Sequence, residues 1–195
     1  MADFSLSTEW LKNLPNKLTL ARIGAIPLLL VLYPLQLGTT INVISAVIFL
    51  LAALTDLLDG YLARKYQNVT PLGALLDPIA DKMLVAASLV LLASTHAAPA
   101  LLAGLLICRD IAVNGVRLLA LEQGITVAVN DLGKWKTAAT MVAIFCLFIN
   151  DNHFLGLPFR TVGMIALWLG LGLSLYSAWT YGRGYLEKSK IGLGL

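Results

Sequence analysis

Charge is what this chain has least of. Of its 195 residues, 14 are Lys or Arg and 11 are Asp or Glu, 13% in all, where a soluble domain carries roughly a quarter. Sulfur and imidazole are scarcer still. Cys108 and Cys146 stand alone in apolar runs, without CxxC spacing or a neighbouring His, which argues against a disulfide framework or a zinc site. His96 and His153 lie in connections, so no histidine nucleophile or imidazole metal cluster is on offer. Internal repeats and low-complexity tracts are absent. The segment before Leu18 carries Asp3, Glu9, Lys12 and Lys17 and lacks a long apolar core, so it is not expected to be a cleaved signal peptide.

What fills the chain is apolar: 58% hydrophobic residues and a mean hydropathy of +0.82. That composition predicts an all-α integral membrane protein, a single domain with room for about six spans of ~20 residues. Six apolar windows are present: Leu18–Leu37, Ile41–Ala63, Leu72–Ser94, Ala98–Leu121, Lys136–Phe148 extended toward Asn150, and Thr161–Tyr181. The expected organisation is an interfacial amphipathic helix over residues 1–16, a six-helix bundle over 17–186 and a tail over 187–195. Phe4, Leu6, Trp10, Leu11 and Leu14 form the apolar face of the first segment.

Positive charge sets the orientation, because Lys and Arg are retained in the cytoplasm. With a cytoplasmic N-terminus, Lys12, Lys17, Arg22, Arg64, Lys65, Arg117, Lys134, Lys136, Arg183, Lys188 and Lys190 all fall on that side, against Arg160 on the other. Both termini are therefore expected in the cytoplasm, with the protein in the cell's inner membrane. A nucleic-acid partner is not expected.

Against this background four aspartates stand out: Asp56, Asp59, Asp77 and Asp81. One carboxylate at membrane depth costs about 2.5–3.5 kcal/mol even on lenient scales, so four close together point to a bound cation. At 100° per residue, Asp56, Asp59, Gly60 and Ala63 share one side of the second window, and Gly73, Asp77 and Asp81 one side of the third. Oxygen donors without histidine or thiolate suit Mg²⁺ or Mn²⁺, and four carboxylates have the charge for two ions. Such ions complete their shells with phosphate, so a diphosphate ester fits the site. Small residues at Gly60, Ala63 and Gly73 allow a nucleotide close to the backbone, though they equally suit tight helix packing. Arg64 offers a planar fork for phosphates. Pairing with Lys82 or Arg64 would neutralise some of the acids, but two bases do not balance four. A cation or proton transporter would carry acids or broken helices in corresponding halves, whereas here they occupy one hairpin.

The run Asp56-Leu-Leu-Asp59-Gly60-Tyr-Leu-Ala63-Arg64, then Gly73, Asp77 and Asp81, matches D-x2-D-G-x2-A-R-x8-G-x3-D-x3-D without a gap. In this the chain resembles the CDP-alcohol phosphatidyltransferases. The resemblance implies six transmembrane helices, a homodimer, and transfer of a phosphatidyl group from a CDP-activated lipid with release of CMP at the cytoplasmic end. It implies Asp56, Asp59 and Asp77 as metal ligands, and Asp81 as the base that also touches the metal. Gly60 and Arg64 match nucleotide and diphosphate contacts, and Thr70 a hydroxyl that helps hold the CDP part.

Beyond the signature, most of the chain is similar to the branch of that family that makes phosphatidylglycerophosphate from CDP-diacylglycerol and sn-glycerol 3-phosphate. Leu14-Pro15-Asn16-Lys17-Leu18-Thr19-Leu20-Ala21-Arg22 resembles its opening motif, which implies lipid or CDP contacts for Asn16, Thr19 and Arg22. Leu76 to Lys82, Arg109-Asp110 with Arg117, and Gly133 to Thr137 resemble later motifs of the branch, although Asp110 and Thr140 stand where it tends to have Glu and Gln. An acceptor bearing its own phosphate needs a cationic pocket, and Arg109, Arg117, Lys134 and Lys136 supply the charges. Lys134 and Lys136 also suit anchoring of the fifth span at the interface, and Asp110 suits a counter-ion for Arg109. Phosphatidylglycerol, the acceptor of a cardiolipin synthase, or another phosphorylated polyol remains an alternative acceptor.

Overall fold

Helix ends in this chain fall where a residue stops donating or turns left-handed. The computed structural model describes residues 14–66, 71–125, 132–150 and 156–192, with the backbone alone described at 14–18, 56–66, 71–78, 132 and 190–192. Six α-helices and no strand occur among the described residues: α1 Leu14–Leu32, α2 Thr39–Tyr66, α3 Pro71–Ser94, α4 Ala100–Glu122, α5 Leu132–Ile149 and α6 Phe159–Gly192. Pro71 opens α3, where its missing N–H costs nothing, and Pro99 in an extended conformation precedes α4.

Each helix covers one of the six apolar windows, but the ends differ. The first window was expected to run helical to Leu37. Instead α1 stops at Leu32, and a 3-10 turn over Tyr33–Leu35 follows, then Gln36 in the left-handed region at φ 47° and Gly38 at φ 99°. Pro34 explains the change, since it removes a donor and disfavours α geometry at Tyr33. At the other end of the chain, α6 continues past Tyr181 to Gly192. Its polar last turns reach back to α4, where the Tyr185 hydroxyl donates to Oε1 of Gln123 at 3.0 Å.

Packing is layered around α5. The most extensive contact is α5 with α6, while α1 packs on both α2 and α3, and α2 also meets α5. Gly163 makes the α5–α6 approach possible: a Cβ there would lie 2.8 Å from Cγ of the fully buried Leu147. Tyr33, Phe49 and Phe148 fill the centre of one end, with the Tyr33 and Phe148 rings edge to face at 4.8 Å. At that end the Tyr33 hydroxyl also donates to the carbonyl of Leu147, and Asn42 Nδ2 to that of Ile149.

Large apolar side chains cover much of the outer surface as well. Leu28, Leu30, Val31, Leu50, Leu51, Leu101, Leu105, Ile165, Trp168 and Leu169 are all exposed. So many large apolar side chains left exposed are unusual on a water-facing protein. Within α6, Phe159–Ser189 is long and apolar enough to cross a bilayer by length and composition.

Candidate active site

The motif residues gather at the end of the bundle where α1, α3 and α5 begin and α2, α4 and α6 finish. Arg22 is buried in α1 with 1% of its surface exposed, and its Nε–H donates to the carbonyl of Ala52 in α2 at 3.3 Å. The Thr55 hydroxyl donates to the same oxygen at 2.6 Å. That carbonyl lies one turn before Asp56, so a charge-assisted hydrogen bond fastens α1 to α2 where the acidic motif begins. Thr19 is buried one turn before Arg22, and Asn16 lies in α1, its side chain outside the described residues.

Asp56, Asp59, Gly60, Ala63 and Arg64 occupy a continuous stretch of α2, and Gly73, Asp77 and Asp81 a continuous stretch of α3. The helical register presumed from their spacing is therefore the one observed. The side chains of residues 56–78 fall outside the described part, as does Thr70 altogether. Asp81 is described: it is half-buried, about 15 Å along α3 from Pro71 at about 1.5 Å per residue. Its charge acts on both Lys82 and Lys136.

A second polar cluster stands across from it on α4 and α5. Asp110 accepts from Arg109 Nη1 at 2.9 Å and from Lys136 Nζ at 2.5 Å, both through Oδ1. The Arg109 Nε–H donates to the main-chain carbonyl of Ser174 in α6 at 2.8 Å. Three helices are thus tied together through one carboxylate. Arg109 and Lys136 each keep 11% of their side-chain surface exposed and Asp110 27%, so these bonds operate largely out of water.

Beside this cluster lies a cavity of about 640 Å³ between α3, α4 and α5. Among the described residues its polar lining is Lys82, Asp110, Asn114, Arg117, Lys136 and Thr140, and the other described lining residues are apolar. Of the four cations expected to meet an acceptor phosphate, Arg117 and Lys136 line this cavity. Arg109 stands behind it as the link to α6, and Lys134 is exposed on the first turn of α5, outside the lining. From the sequence Lys82 reads as a counter-charge to the acids and not as part of a cationic pocket, and Asn114 is not singled out. The signal for Asn114 was present in its helical phase, one turn after Asp110 and three residues before Arg117. That Lys82 borders a cavity follows only from the packing of α3 against α4 and α5.

Cys108 is exposed and Cys146 buried, both as free thiols. Among the described residues no three His, Cys, Asp or Glu side chains group as a metal site. Of the four aspartates only the Asp81 side chain belongs to that set.

Comparison with known proteins adds four findings. Residues 12–176 match the family model described as CDP-alcohol phosphatidyltransferase. A Bacillus subtilis (strain 168) protein named CDP-diacylglycerol–glycerol-3-phosphate 3-phosphatidyltransferase is 39% identical over 87% of this chain and 93% of its own length. A Rickettsia bellii (strain RML369-C) protein of the same name is 35% identical over the same shares. A rice protein named cardiolipin synthase (CMP-forming) is 40% identical over 89% of this chain but 57% of its own length.

Proposed function

The chain belongs to the CDP-alcohol phosphatidyltransferase family, and from that premise we infer that it transfers the phosphatidyl group of CDP-diacylglycerol to sn-glycerol 3-phosphate, yielding phosphatidylglycerophosphate and CMP. The observation that carries the acceptor is the juxtaposition of Asp81 with a cationic cavity: Lys82, the next residue along α3, lines it together with Arg117 and Lys136. A neutral alcohol would gain nothing from Lys82, Arg117 and Lys136, whereas a phosphate monoester repays their desolvation. The rice relative is a reason to test phosphatidylglycerol as well, but its phosphodiester carries less charge for that lining.

Asp56, Asp59, Asp77 and Asp81 are the residues proposed to hold divalent ions. Their hard oxygen donors and helical register suit Mg²⁺ or Mn²⁺, two ions being the proposed number. When bound, such ions neutralise the diphosphate's non-bridging oxygens and steady the departing CMP. Gly60, Ala63, Arg64, Thr70 and Gly73 form the proposed cradle for the CDP part, with Asn16, Thr19 and Arg22 beside it. Asp81 takes the proton from the acceptor's free hydroxyl as that oxygen forms its bond to the phosphatidyl phosphorus. The bond from that phosphorus to the oxygen shared with CMP breaks, and CMP leaves with the electron pair.

The apolar outer surface and the length of α6 support a multi-pass membrane placement. An even number of spans keeps both termini on one side, and the positive-inside bias makes that side the cytoplasm. The active site would then open to the cytoplasm, with residues 1–16 on the membrane surface and the enzyme a homodimer. The deciding experiment supplies purified protein with CDP-diacylglycerol and, separately, glycerol 3-phosphate, inositol phosphate, serine and phosphatidylglycerol. CMP release with glycerol 3-phosphate alone is expected. Release with phosphatidylglycerol in preference would overturn the acceptor assignment.

A further inference from the structure

Two side-chain bonds that join α4 to α6 lie on one seam. Arg109 Nε donates to the carbonyl of Ser174 at 2.8 Å, and the Tyr185 hydroxyl donates to Oε1 of Gln123 at 3.0 Å. At about 100° per residue, Arg109 and Gln123 fall within about 40° of each other around α4, and Ser174 and Tyr185 within about 20° around α6. The two helices therefore run side by side over about 21 Å of α4. Gln123 belongs to a fixed turn: Gly124 is left-handed at φ 67°, and the Ile125 N–H donates back to the carbonyl of Ala120 at 2.8 Å. Holding Gln123 thus holds the end of the helix.

The other side of α4 is the outer wall of the cavity, formed by Ile111, Asn114, Arg117 and Leu118. Among the described residues α4 packs more on α6 than on α3, and its backbone has little contact with that of α5. Its outer end is tied to α3 by a short connection in which the Ala98 N–H donates to the carbonyl of Leu92 at 3.0 Å. Only the cytoplasmic half of α4 is left to be fixed. α6 is long enough to do so: 34 residues make about 51 Å, against a hydrocarbon core of ~30 Å. Counted from Phe159, about 20 residues cross that core, and Tyr185 stands beyond them.

We propose that Tyr185 is a positioning residue: through Gln123 it clamps the cytoplasmic half of α4 against α6 and so sets the width of the α3–α4–α5 cavity, without touching either substrate. The consequence for the acceptor rests on the reading above, whereas the clamp itself does not. With its outer end fixed, α4 is a lever, and a small tilt displaces the wall most at the level of Arg117. A shift of about 1 Å there is enough to spoil the placing of a bound molecule.

Tyr185→Phe removes the hydroxyl alone. It should raise KM for glycerol 3-phosphate about two- to tenfold, as far as one net hydrogen bond shifts the population of the clamped wall, and leave kcat and KM for CDP-diacylglycerol unchanged. The melting temperature in detergent should stay within about a degree or two. Gln123→Leu should give the same shift and serves if Tyr185→Phe folds poorly. Both changes delete one bond, so the double variant should be no worse than either single one. Gln123→Glu keeps the accepting oxygen and should leave the acceptor KM near wild type. Amide hydrogen exchange gives a readout without turnover: it should quicken over Asn114–Glu122 in Tyr185→Phe and stay unchanged over Met141–Leu147 of α5. A lowered melting temperature with kcat and both KM values moving together would make the bond a packing contact and overturn the positioning role. Unaltered exchange and an unaltered acceptor KM in both single variants would overturn it too. Quickened exchange in Tyr185→Phe, in a protein whose wild type releases no CMP with glycerol 3-phosphate, would sustain the clamp and sink the reaction assignment.

Discussion

Arg22 hydrogen-bonds the carbonyl of Ala52, one helical turn ahead of Asp56, from a position almost wholly removed from water. A guanidinium held inside the bundle is a costly device for joining two helices, since a leucine pair would do so without desolvating a charge. Its place explains the choice: the bond sets the height of α1 against the turn of α2 that begins the acidic motif.

Arg22→Met keeps most of the side-chain volume and removes both the charge and the donor. The expected stability loss is about 1.5–3 kcal/mol, that of a hydrogen bond to a charged group. CMP release should fall further than stability accounts for, by about tenfold or more, because small misplacements at a reacting centre are costly. Thermal unfolding in detergent alongside initial rates at saturating CDP-diacylglycerol separates the two. A rate that merely tracks the folded fraction would assign Arg22 to packing alone.

Asp81→Asn preserves shape and removes the charge proposed to accept the hydroxyl proton. Turnover should drop at least about a hundredfold, in the range general-base removal produces, while the unfolding midpoint stays within a degree or two. Residual activity near wild type would require a different base.

Much of this is legible in the sequence alone. Six apolar windows became six helices because hydropathy over ~20 residues senses the same burial that packing exploits. It failed at Tyr33–Leu37, where the residues are apolar but Pro34 breaks the ladder, and at Arg183–Gly192, where the residues are polar but good helix formers hold α6 together. The acidic motif was readable because its spacing is local to two helices. The Asp110–Lys136 pair was not, since it depends on how α4 and α5 are staggered across a gap of 26 residues in sequence. Lys82 reads only as a counter-charge to the acids for a related reason: only the packing of three helices reveals which face of α3 borders a cavity.

Asp110 offers a test of that long-range pair. Asp110→Ala leaves Arg109 and Lys136 facing each other without their shared acceptor, at an expected cost of about 1.5–3 kcal/mol. Asp110→Glu retains the charge and should recover most of the loss, with the acceptor KM raised by the displaced ammonium. Equal destabilisation by both replacements would show that the site tolerates one geometry only.

Divalent-ion dependence is expected from the four carboxylates proposed as ligands, which lie on α2 and α3. Stripping the protein with EDTA should abolish CMP release, and Mg²⁺ or Mn²⁺ should restore it, with Ca²⁺ a poor substitute because its larger, looser shell positions phosphate less strictly. Adding Mn²⁺ to the stripped protein should also raise its melting temperature, by linkage, and Asp81→Asn should weaken that rise. Full activity after exhaustive chelation would remove the metal from the mechanism.

Gly163 bears on how the site is supported from behind. Arg109 reaches the Ser174 carbonyl only while α6 lies close against its neighbours, and the approach of α6 to α5 depends on there being no Cβ at Gly163, where one would meet Leu147 at 2.8 Å and Cys146 Cβ at 3.1 Å. Leu147 is fully buried and has nowhere to retreat. Gly163→Val should therefore push α6 outward, destabilise the protein by about 1–3 kcal/mol as overpacked cores do, and loosen the Arg109 anchor. Adding Leu147→Ala opens space for the new side chain, so the double variant should be more stable than the sum of the two single losses predicts. The rescue should extend to the acceptor KM, because a restored α6 returns Arg109, and through it Asp110 and Lys136, to their places. Strict additivity of the two changes would mean that the helices separate elsewhere and that the glycine is not what sets their distance.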